Sequence, residues 1–337
     1  MMLADAKGVA VSGEALAAKC GVSRAAVWKA VNALREAGNS IEGTTNGGYV
    51  LGDDDIFTPE IFKETFSSRF PDFSDCHIEC FKEIDSTNTY AKRLLAEGNN
   101  KYHRAIFIAE KQTAGRGRIG RTFVSPEKSG IYFSVIYSPA GGIKEPARLT
   151  ACSAVAVRRA IKKLYDFDVQ IKWINDIFAD GKKICGIGTE GITNFETGLI
   201  ESAIIGIGVN VKKDKKAFSG ELGKIAGSLE EAMEKSGKAA RLNRCQIAVE
   251  IIGQVLKILE EDSKSSSAHS KIIKEYKEAS FLIGRELTVY PLIGDEKSAY
   301  KATATDIDEN AGLVVTLKDG SVKTLSSGEV TLKSSNF

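Results

Sequence analysis

Residues 105–126 read AIFIAEKQTAGRGRIGRTFVSP, and the interpretation of this stretch decides how the rest of the chain is understood. Gly115, Gly117 and Gly120 spell G-x-G-x-x-G, while Gly115 through Thr122 nearly spells G-x-x-x-x-G-K-[ST], with Arg121 in place of lysine. Both motifs need a strand before them and a helix after, because the helix N-terminus binds the phosphates. A strand is predicted at Ala105–Ala109. Beyond the loop come Pro126, Gly130 and the β-rich run Ile131–Tyr137, so no helix opens there and neither reading holds. The stretch is left as a glycine loop carrying Arg116, Arg118 and Arg121. Guanidinium groups suit phosphates and carboxylates because their planar donors bind bidentately. Glycines let the backbone lie against a ligand, and a loop of this kind can close over one.

Downstream, Ile171–Ile177 is a strand pattern interrupted by polar residues; Asp180–Lys183 is a predicted turn, and Ile184–Gly188 begins another strand. A third strand, Ala203–Asn210, alternates glycine with β-branched residues. Glycine weakens a strand, so its repetition implies close approach of a ligand to the sheet. Asn175, Asp176, Lys183 and Asn210 are the polar groups such a sheet would present.

Upstream, the first 51 residues have a different pattern. Ser12 is placed to cap a short helix through Lys19, Gly21 breaks it, and Ser23 caps a second helix to about Ala37. Two helices joined by a short turn containing glycine have helix-turn-helix spacing. Val27, Val31 and Leu34 form the expected buried stripe of the second helix. Arg24, Trp28, Lys29, Asn32 and Arg35 are left facing outward, a mix suited to phosphates and base edges, with Ser23 at the helix start. Ser40–Thr44 and Tyr49–Leu51 flank Asn46-Gly47-Gly48, a hairpin turn that reads as the wing of a winged helix-turn-helix. Only seven residues precede Gly8, so the usual first helix is expected to be short or missing. With five Lys/Arg against four Asp/Glu in residues 1–51, any nucleic-acid contact must be local rather than a general basic coat.

The 337 residues, 43 % hydrophobic and 27 % charged with a formal net charge of +2, have ordinary globular composition and length for two or three domains. No apolar run approaches a membrane span, and the start lacks the pattern of a secretion signal, which together imply a cytoplasmic protein with no membrane partner. Six scattered cysteines suit a reducing compartment. Cys76, His77 and Cys80 lack an evident fourth ligand, so a metal reading is weak. The lysine-rich stretch Lys212–Lys238 reads as solvated loop and helix surface. From Leu282 the chain becomes short strands with turns at Gly294-Asp295, Asn310-Ala311-Gly312 and Asp319-Gly320.

Ser86-Thr87-Asn88, Gln112 with GRGRIGR (115–121) and Ser125-Pro126, KWIND (172–176), Lys183 before Cys185-Gly186-Ile187, and IGIGVNV (205–211) occur in this order. Together they resemble the biotin–protein ligases, over nearly the whole chain, and most of all the bacterial form that doubles as repressor of biotin synthesis. The resemblance implies a winged helix-turn-helix DNA-binding domain (1–56), an α/β (α+β) catalytic domain with a mixed sheet (57–281) and a C-terminal SH3-like β-barrel (282–337). This chain departs from the family in Ile174, where proline is usual, in Phe123, where tryptophan is usual, and in Gly188-Thr189 before Glu190.

The implied chemistry is ATP-dependent. Biotin and MgATP give biotinyl-5′-adenylate and pyrophosphate, and a lysine of a biotin carboxyl carrier protein then attacks the mixed anhydride. The resemblance places Ser86, Thr87, Asn88, Gln112, Gly115, Arg116, Gly117, Arg118, Lys183 and Gly186 around biotin. Arg118, Arg121, Phe123, Asn175, Asp176, Lys183 and Asn210 would surround the nucleotide. Lys183 would touch both the biotin carboxylate and the phosphate, Arg118 the carboxylate and adenylate, Arg121 the departing phosphates, and Asn210 adenine. Asp176 would either hold Mg²⁺ or accept a proton from the incoming lysine. The same resemblance implies binding of operator DNA through Ser23, Arg24, Trp28, Lys29 and Asn32, with pairing of two chains promoted by the adenylate. A lipoate–protein ligase, or a biotin-sensing transcription factor without ligase activity, are the alternatives.

Overall fold

The protein is described by a computed structural model covering residues 2–6, 9–36, 41–44, 47–51, 55, 57–97, 102–194, 196–291 and 296–332. Gly8, Ala37, Ser40, Asn46, the proposed boundary at residue 56 and the Gly294-Asp295 turn lie outside these residues. The chain divides into two compact units, Met1–Ile61 and Phe62–Phe337.

In the first unit a one-turn helix α1 (Met2–Asp5) precedes α2 (Gly13–Cys20) and α3 (Arg24–Glu36). Ser12 Oγ accepts from Ala15 N at 3.0 Å, Gly21 ends α2 in the left-handed conformation, and Ser23 Oγ accepts from Ala26 N at 3.2 Å. Each cap satisfies a backbone donor that the first helical turn leaves unpaired. Strands β1 (Ile41–Thr44) and β2 (Gly48–Leu51) form an antiparallel hairpin. Leu16, Ala17, Val27, Val31 and Ile41 make the core, flanked by Val11, Tyr49 and Leu51. Leu34, predicted in the stripe, is instead 46 % exposed. The eight-residue α2 spans only about 12 Å at 1.5 Å per residue, too short to cover the last turns of the longer α3.

The second unit opens within α4 (Pro59–Arg69) and runs β3 (Ile78–Phe81), α5 (Thr87–Ala96), β4 (Ile106–Ala109), β5 (Gly130–Tyr137) and α6 (Pro146–Tyr165). It continues with β6 (Gln170–Lys172), β7 (Asp176–Ala179), β8 (Lys182–Thr193), β9 (Ile200–Asn210), α7 (Gly220–Ile225), α8 (Leu229–Lys235), α9 (Arg244–Lys264) and α10 (Ser266–Ala279). The seven strands from β3 to β9 form one mixed sheet in the order β3-β4-β5-β9-β8-β7-β6, parallel between β3 and β4 and antiparallel elsewhere.

Register explains the glycine alternation. Gly186 pairs with Gly208 and Gly188 with Gly206, so all four lie on one face. The intervening Cys185, Ile187, Ile205, Ile207 and Val209 turn to the other face and are buried. Helices α6 and α9 bury most of their length against that apolar side. The glycine face is covered by α5, whose Asn88 approaches so closely that a Cβ at Gly206 would lie 2.2 Å from its Oδ1.

The C-terminal strands β10 (Glu286–Tyr290), β11 (Tyr300–Ile307), β12 (Leu313–Thr316), β13 (Val322–Leu325) and β14 (Glu329–Leu332) form an antiparallel sheet in the order β13-β12-β11-β10-β14. Its turn at 308–312 is tied to the rest of the unit: Trp173 Nε1 donates to Ala311 O at 2.8 Å, and His269 Nε2 lies 2.5 Å from Glu309 O.

Two further expectations change. Lys182 and Lys183 belong to β8 rather than to the turn, which is made by Asp180 and Gly181, both with positive φ. The 212–238 segment is not only solvated surface: Ala226, Leu229, Ala232 and Met233 are buried, and Gly227 is hydrogen-bonded to Lys183 O at 2.9 Å. Its lysines are spaced among apolar residues at helical intervals, and a count of charge alone hides that second face.

Candidate active site

Two adjoining pockets open on the glycine face. The inner one is lined by Ser86, Thr87, Asn88, Gln112, Arg116, Gly117, Arg118, Phe123, Phe133, Asn175, Lys183 and the glycine ladder. The outer one is lined by Arg121, Lys172, Trp173, Asp176, Asn210, Phe218, Leu222, Ile225 and the edge residues Gly328–Val330 of the C-terminal sheet. Gly117, Arg118, Phe123, Asn175 and Lys183 border both, so these residues form the junction.

Ser86 caps α5, accepting from Thr89 N at 3.4 Å, and this places Thr87 and Asn88 in the first helical turn above the sheet. Thr87 N and Oγ1 both reach Gln112 Oε1, at 2.9 and 3.2 Å, while Gln112 Nε2 donates to Ser125 Oγ at 2.9 Å. Buried Ser134 lies 2.7 Å from Thr87 Oγ1 and 2.5 Å from Asn88 Oδ1. Asn88 Nδ2 donates to Glu190 Oε1 at 2.9 Å, and Glu190 is also ion-paired with Lys92. Burial alone would raise the Glu190 pKa, but the hydrogen bonds from Lys92 and Asn88 hold it below the ordinary value. The Ser86–Gln112 side of the inner pocket is thus a prearranged network of neutral donors and acceptors, anchored by the partly exposed Glu190–Lys92 ion pair.

At the junction Arg118 sits in a short 3-10 turn, Arg118–Gly120, and Nη1 donates to Asn175 Oδ1 at 2.9 Å. Asn175 is itself locked to β8, with Nδ2 donating to Ile187 O at 3.0 Å and its carbonyl accepting from Ile187 N at 2.9 Å. Lys183 Nζ lies 2.7 Å from Asp176 Oδ1. The 173–175 turn between β6 and β7 contains a cis peptide at Trp173–Ile174 and is gripped by Tyr276, whose hydroxyl donates to Ile174 O at 2.9 Å.

Phe123 lies over the glycine ladder: a Cβ at Gly208 would come within 2.4 Å of its ring, and one at Gly186 within 3.2 Å. Asn210 is 5 % exposed; its Nδ2 donates to Gly227 O at 3.0 Å while its buried Oδ1 has no hydrogen-bond partner among the described residues. Such an unsatisfied buried acceptor at a pocket wall marks a place for a ligand donor.

Most of the residues expected around a ligand therefore converge, with one exception. Gly115 does not line either pocket: its Cβ position is blocked by Phe123 O at 2.4 Å and Ser125 Oγ at 2.7 Å, so it is a packing glycine beneath the loop. Arg121 does line the outer pocket, where Glu329 of β14 holds it bidentately at 2.7 and 3.1 Å and raises its pKa, so a phosphate would have to compete with that carboxylate. Phe133, Ser134, Lys172, Glu190, the 218–226 wall and Glu329 were not anticipated. The alternation around Ser134 and Glu190 was a signal for them, whereas Glu329 lies 208 residues from its partner and left none. Among the described residues no group of three or more His, Cys, Asp or Glu is arranged to hold a metal ion.

In the first unit, Trp28 is 57 % exposed, and Ser23, Arg24 and Lys29 are exposed on the same helix. Arg35 and Asn32 are not simply outward-facing: Arg35 donates to Ile41 O at 2.7 Å and to Asn32 Oδ1 at 3.1 Å, buttressing the hairpin.

A family model described as the biotin/lipoate A/B protein ligase family matches residues 80–210, and one described as an HTH domain matches residues 1–50. The chain is 35 % identical over 244 residues to the bifunctional ligase/repressor BirA of Bacillus subtilis (strain 168), covering 71 % of this chain and 72 % of that protein. It is 27 % identical to the bifunctional ligase/repressor BirA of Escherichia coli (strain K12), covering 98 % and 95 %. Among solved structures, the biotin protein ligase from Aquifex aeolicus in complex with biotin and ATP matches 76 % of this chain and 98 % of its own. Its TM-score is 0.62 at 23 % identity, a likeness of fold.

Proposed function

We propose, from the premise that this chain belongs to the biotin/lipoate A/B protein ligase family, that it is a biotin–protein ligase that also acts as a DNA-binding repressor. The observation that carries the ligase reading is the junction of the two pockets, where Arg118 and Lys183 stand between a chamber walled by Ser86, Thr87, Asn88 and Gln112 and one lined by Arg121, Lys172 and Asp176. The inner chamber suits a ureido ring, with its two donors and one acceptor, and the open space over Gly188 leaves room for an apolar chain. The outer chamber suits ATP. A biotin carboxylate oxygen attacks the α-phosphorus, the bond to the β-phosphate oxygen breaks, and pyrophosphate leaves. Lys183 and Arg118 offset the repulsion of carboxylate and phosphate and so stabilise the transition state. A carrier lysine then attacks the carbonyl carbon of the mixed anhydride, expelling AMP and losing a proton. Neither step needs a nucleophile from the enzyme; both depend on positioning.

Phe123 and the Phe218–Ile225 wall would pack on adenine, with Asn210 Oδ1 accepting from its amino group. Asp176 is one carboxylate beside the phosphate space. That fits Mg²⁺ arriving with ATP, since this ion keeps several waters and binds one or two carboxylates together with substrate phosphates. Ser86, Thr87, Asn88, Gln112, Arg116, Gly117 and Gly186 would surround biotin. We further assign residues 1–56 as a winged helix-turn-helix for operator DNA, 57–281 as the catalytic domain and 282–337 as an SH3-like barrel, with adenylate-promoted pairing of two chains.

Incubation with MgATP, a biotin carrier domain and equimolar biotin and lipoate, followed by mass spectrometry of the carrier, tests the reading. A mass gain of one biotinyl group is expected. A lipoyl gain would keep the adenylate chemistry and overturn the substrate, while no gain and no adenylate would leave only a sensor.

A further inference from the structure

Among the cations lining the charged chamber, Lys172 is the one that neither the reaction outlined above nor a neighbouring carboxylate engages. Lys172 ends β6 directly opposite Asp176 in the strand register, so the two side chains share the ligand face of the sheet. Each neighbouring cation already has a partner. Lys183 is paired with Asp176, Arg121 with Glu329, and Arg118 is hydrogen-bonded to Asn175. Lys172 has neither an ion pair nor a hydrogen bond among the described residues. Its ammonium group is mostly buried and lies 5.8 Å from the centre of the Phe178 ring. An aromatic face replaces only part of the hydration of an ammonium group, and a buried cation without an acceptor is unfavourable. Burial accordingly holds its pKa below the ordinary lysine value. The arrangement is costly in the empty protein and becomes favourable once an anion enters beside it.

We propose that Lys172 is a phosphate-binding residue of this site, the cation that takes the β- and γ-phosphates of bound ATP and then the departing pyrophosphate. This rests on the ligase reading. With Lys183 and Arg118 at the junction, the α-phosphate is next to the inner chamber, and the rest of the polyphosphate must extend into the outer one. There Arg121 is already neutralised by Glu329, which leaves Lys172 as the unpaired positive charge. In forming the adenylate the α–β phosphoanhydride bond breaks and both electrons leave with the pyrophosphate. Its added charge develops on the oxygen that Lys172 would contact.

Lys172→Met keeps the length and apolar stem of the side chain and removes the charge. Biotin-dependent exchange of labelled pyrophosphate into ATP reads the first step. In Lys172→Met the KM for MgATP and for pyrophosphate is expected to rise at least about tenfold, the effect of losing one hydrogen bond to a charged group. Biotin affinity and the transfer rate from supplied biotinyl-5′-adenylate to the carrier should each stay within about threefold, the residue lying outside the inner chamber and having no pyrophosphate to hold in the transfer step. A KM within twofold of the parent would overturn the proposal. So would equal loss of biotin binding and adenylate-driven transfer, which would make Lys172 a support of the fold. If the parent protein itself shows no biotin-dependent exchange, the ligase reading falls first and Lys172 with it.

Discussion

Lys183 and Asp176 are 2.7 Å apart at the point where the two chambers meet, a pair placed to separate when phosphate arrives. Removing the lysine should leave the fold intact and the carboxylate–phosphate repulsion uncompensated. For Lys183→Ala, single-turnover adenylation is expected to slow by about 3–4 kcal/mol of barrier, as for loss of one preorganised oxyanion donor. An unchanged rate would refute the role. Gly208 makes a complementary prediction of steric origin. Its missing Cβ leaves the space that the Phe123 ring fills, with 2.4 Å between them were alanine present. Gly208→Ala therefore should displace Phe123 and weaken ATP more than biotin, which paired titrations of the two ligands would read directly.

Among the elements, the seven-stranded sheet works because its two faces are built from opposite residue classes, and its helical side is stapled by a buried charge. Glu250 of α9 has a fully buried side chain and is reached by Arg69 of α4 at 2.6 Å, by Lys163 of α6 at 2.9 Å and by Gln254 at 2.9 Å. Burial raises its pKa, and these three hydrogen bonds outweigh that and hold it below the usual glutamate value. A carboxylate with a depressed folded-state pKa adds stability above its unfolded value, near 4.3, and loses it as pH falls through the folded one. Glu250→Gln should thus cost about 1–3 kcal/mol at neutral pH and flatten the acid limb of the stability curve. Urea unfolding at pH 7 and below 4 checks both; equal losses at the two pH values would contradict the assignment. The 173–175 turn is a second such joint, held from one side by Tyr276 and from the other by Ala311. Trp173→Phe removes the indole donor together with part of the buried ring volume, and its expected loss of about 1–3 kcal/mol in thermal unfolding should be accompanied by slower adenylation, because Asn175 and Asp176 come directly after this peptide.

For the whole molecule, the reading joins a ligase to a DNA-binding unit, so ligand state should govern assembly. Sedimentation velocity is expected to show a larger species with biotinyl-5′-adenylate than without it, and a single mass under both conditions would end the idea of ligand-promoted pairing. Arg24 and Lys29, both exposed on α3, are the cations we propose for phosphate contact. Replacing both by alanine should weaken operator binding in fluorescence anisotropy and lower its salt slope by about one unit per lost contact, with carrier biotinylation unaltered.

How much of this was legible before folding varied by distance along the chain. Capped helices, the break at Gly21 and the failure of the two phosphate-loop motifs arise from interactions within a few residues, and the strand-borne glycines from period-two alternation. Those features, with the ordered motifs from Ser86 to Asn210, were enough to identify the family and most of the pocket. Other features depended on which residues meet across long separations. Leu34 is exposed because its partner helix is short, and Arg121 is occupied because Glu329 comes from a strand 208 residues away. Gly115 spaces the loop rather than touching the pocket, and Lys172 is solitary because each nearby carboxylate already has a cation. A local pattern records backbone preference and the side a residue faces, which the sequence determined by itself. Pairing and burial are sums over neighbours from distant segments, and only the tertiary structure decided which charges of the site are satisfied and that Lys172 is left over among its described residues.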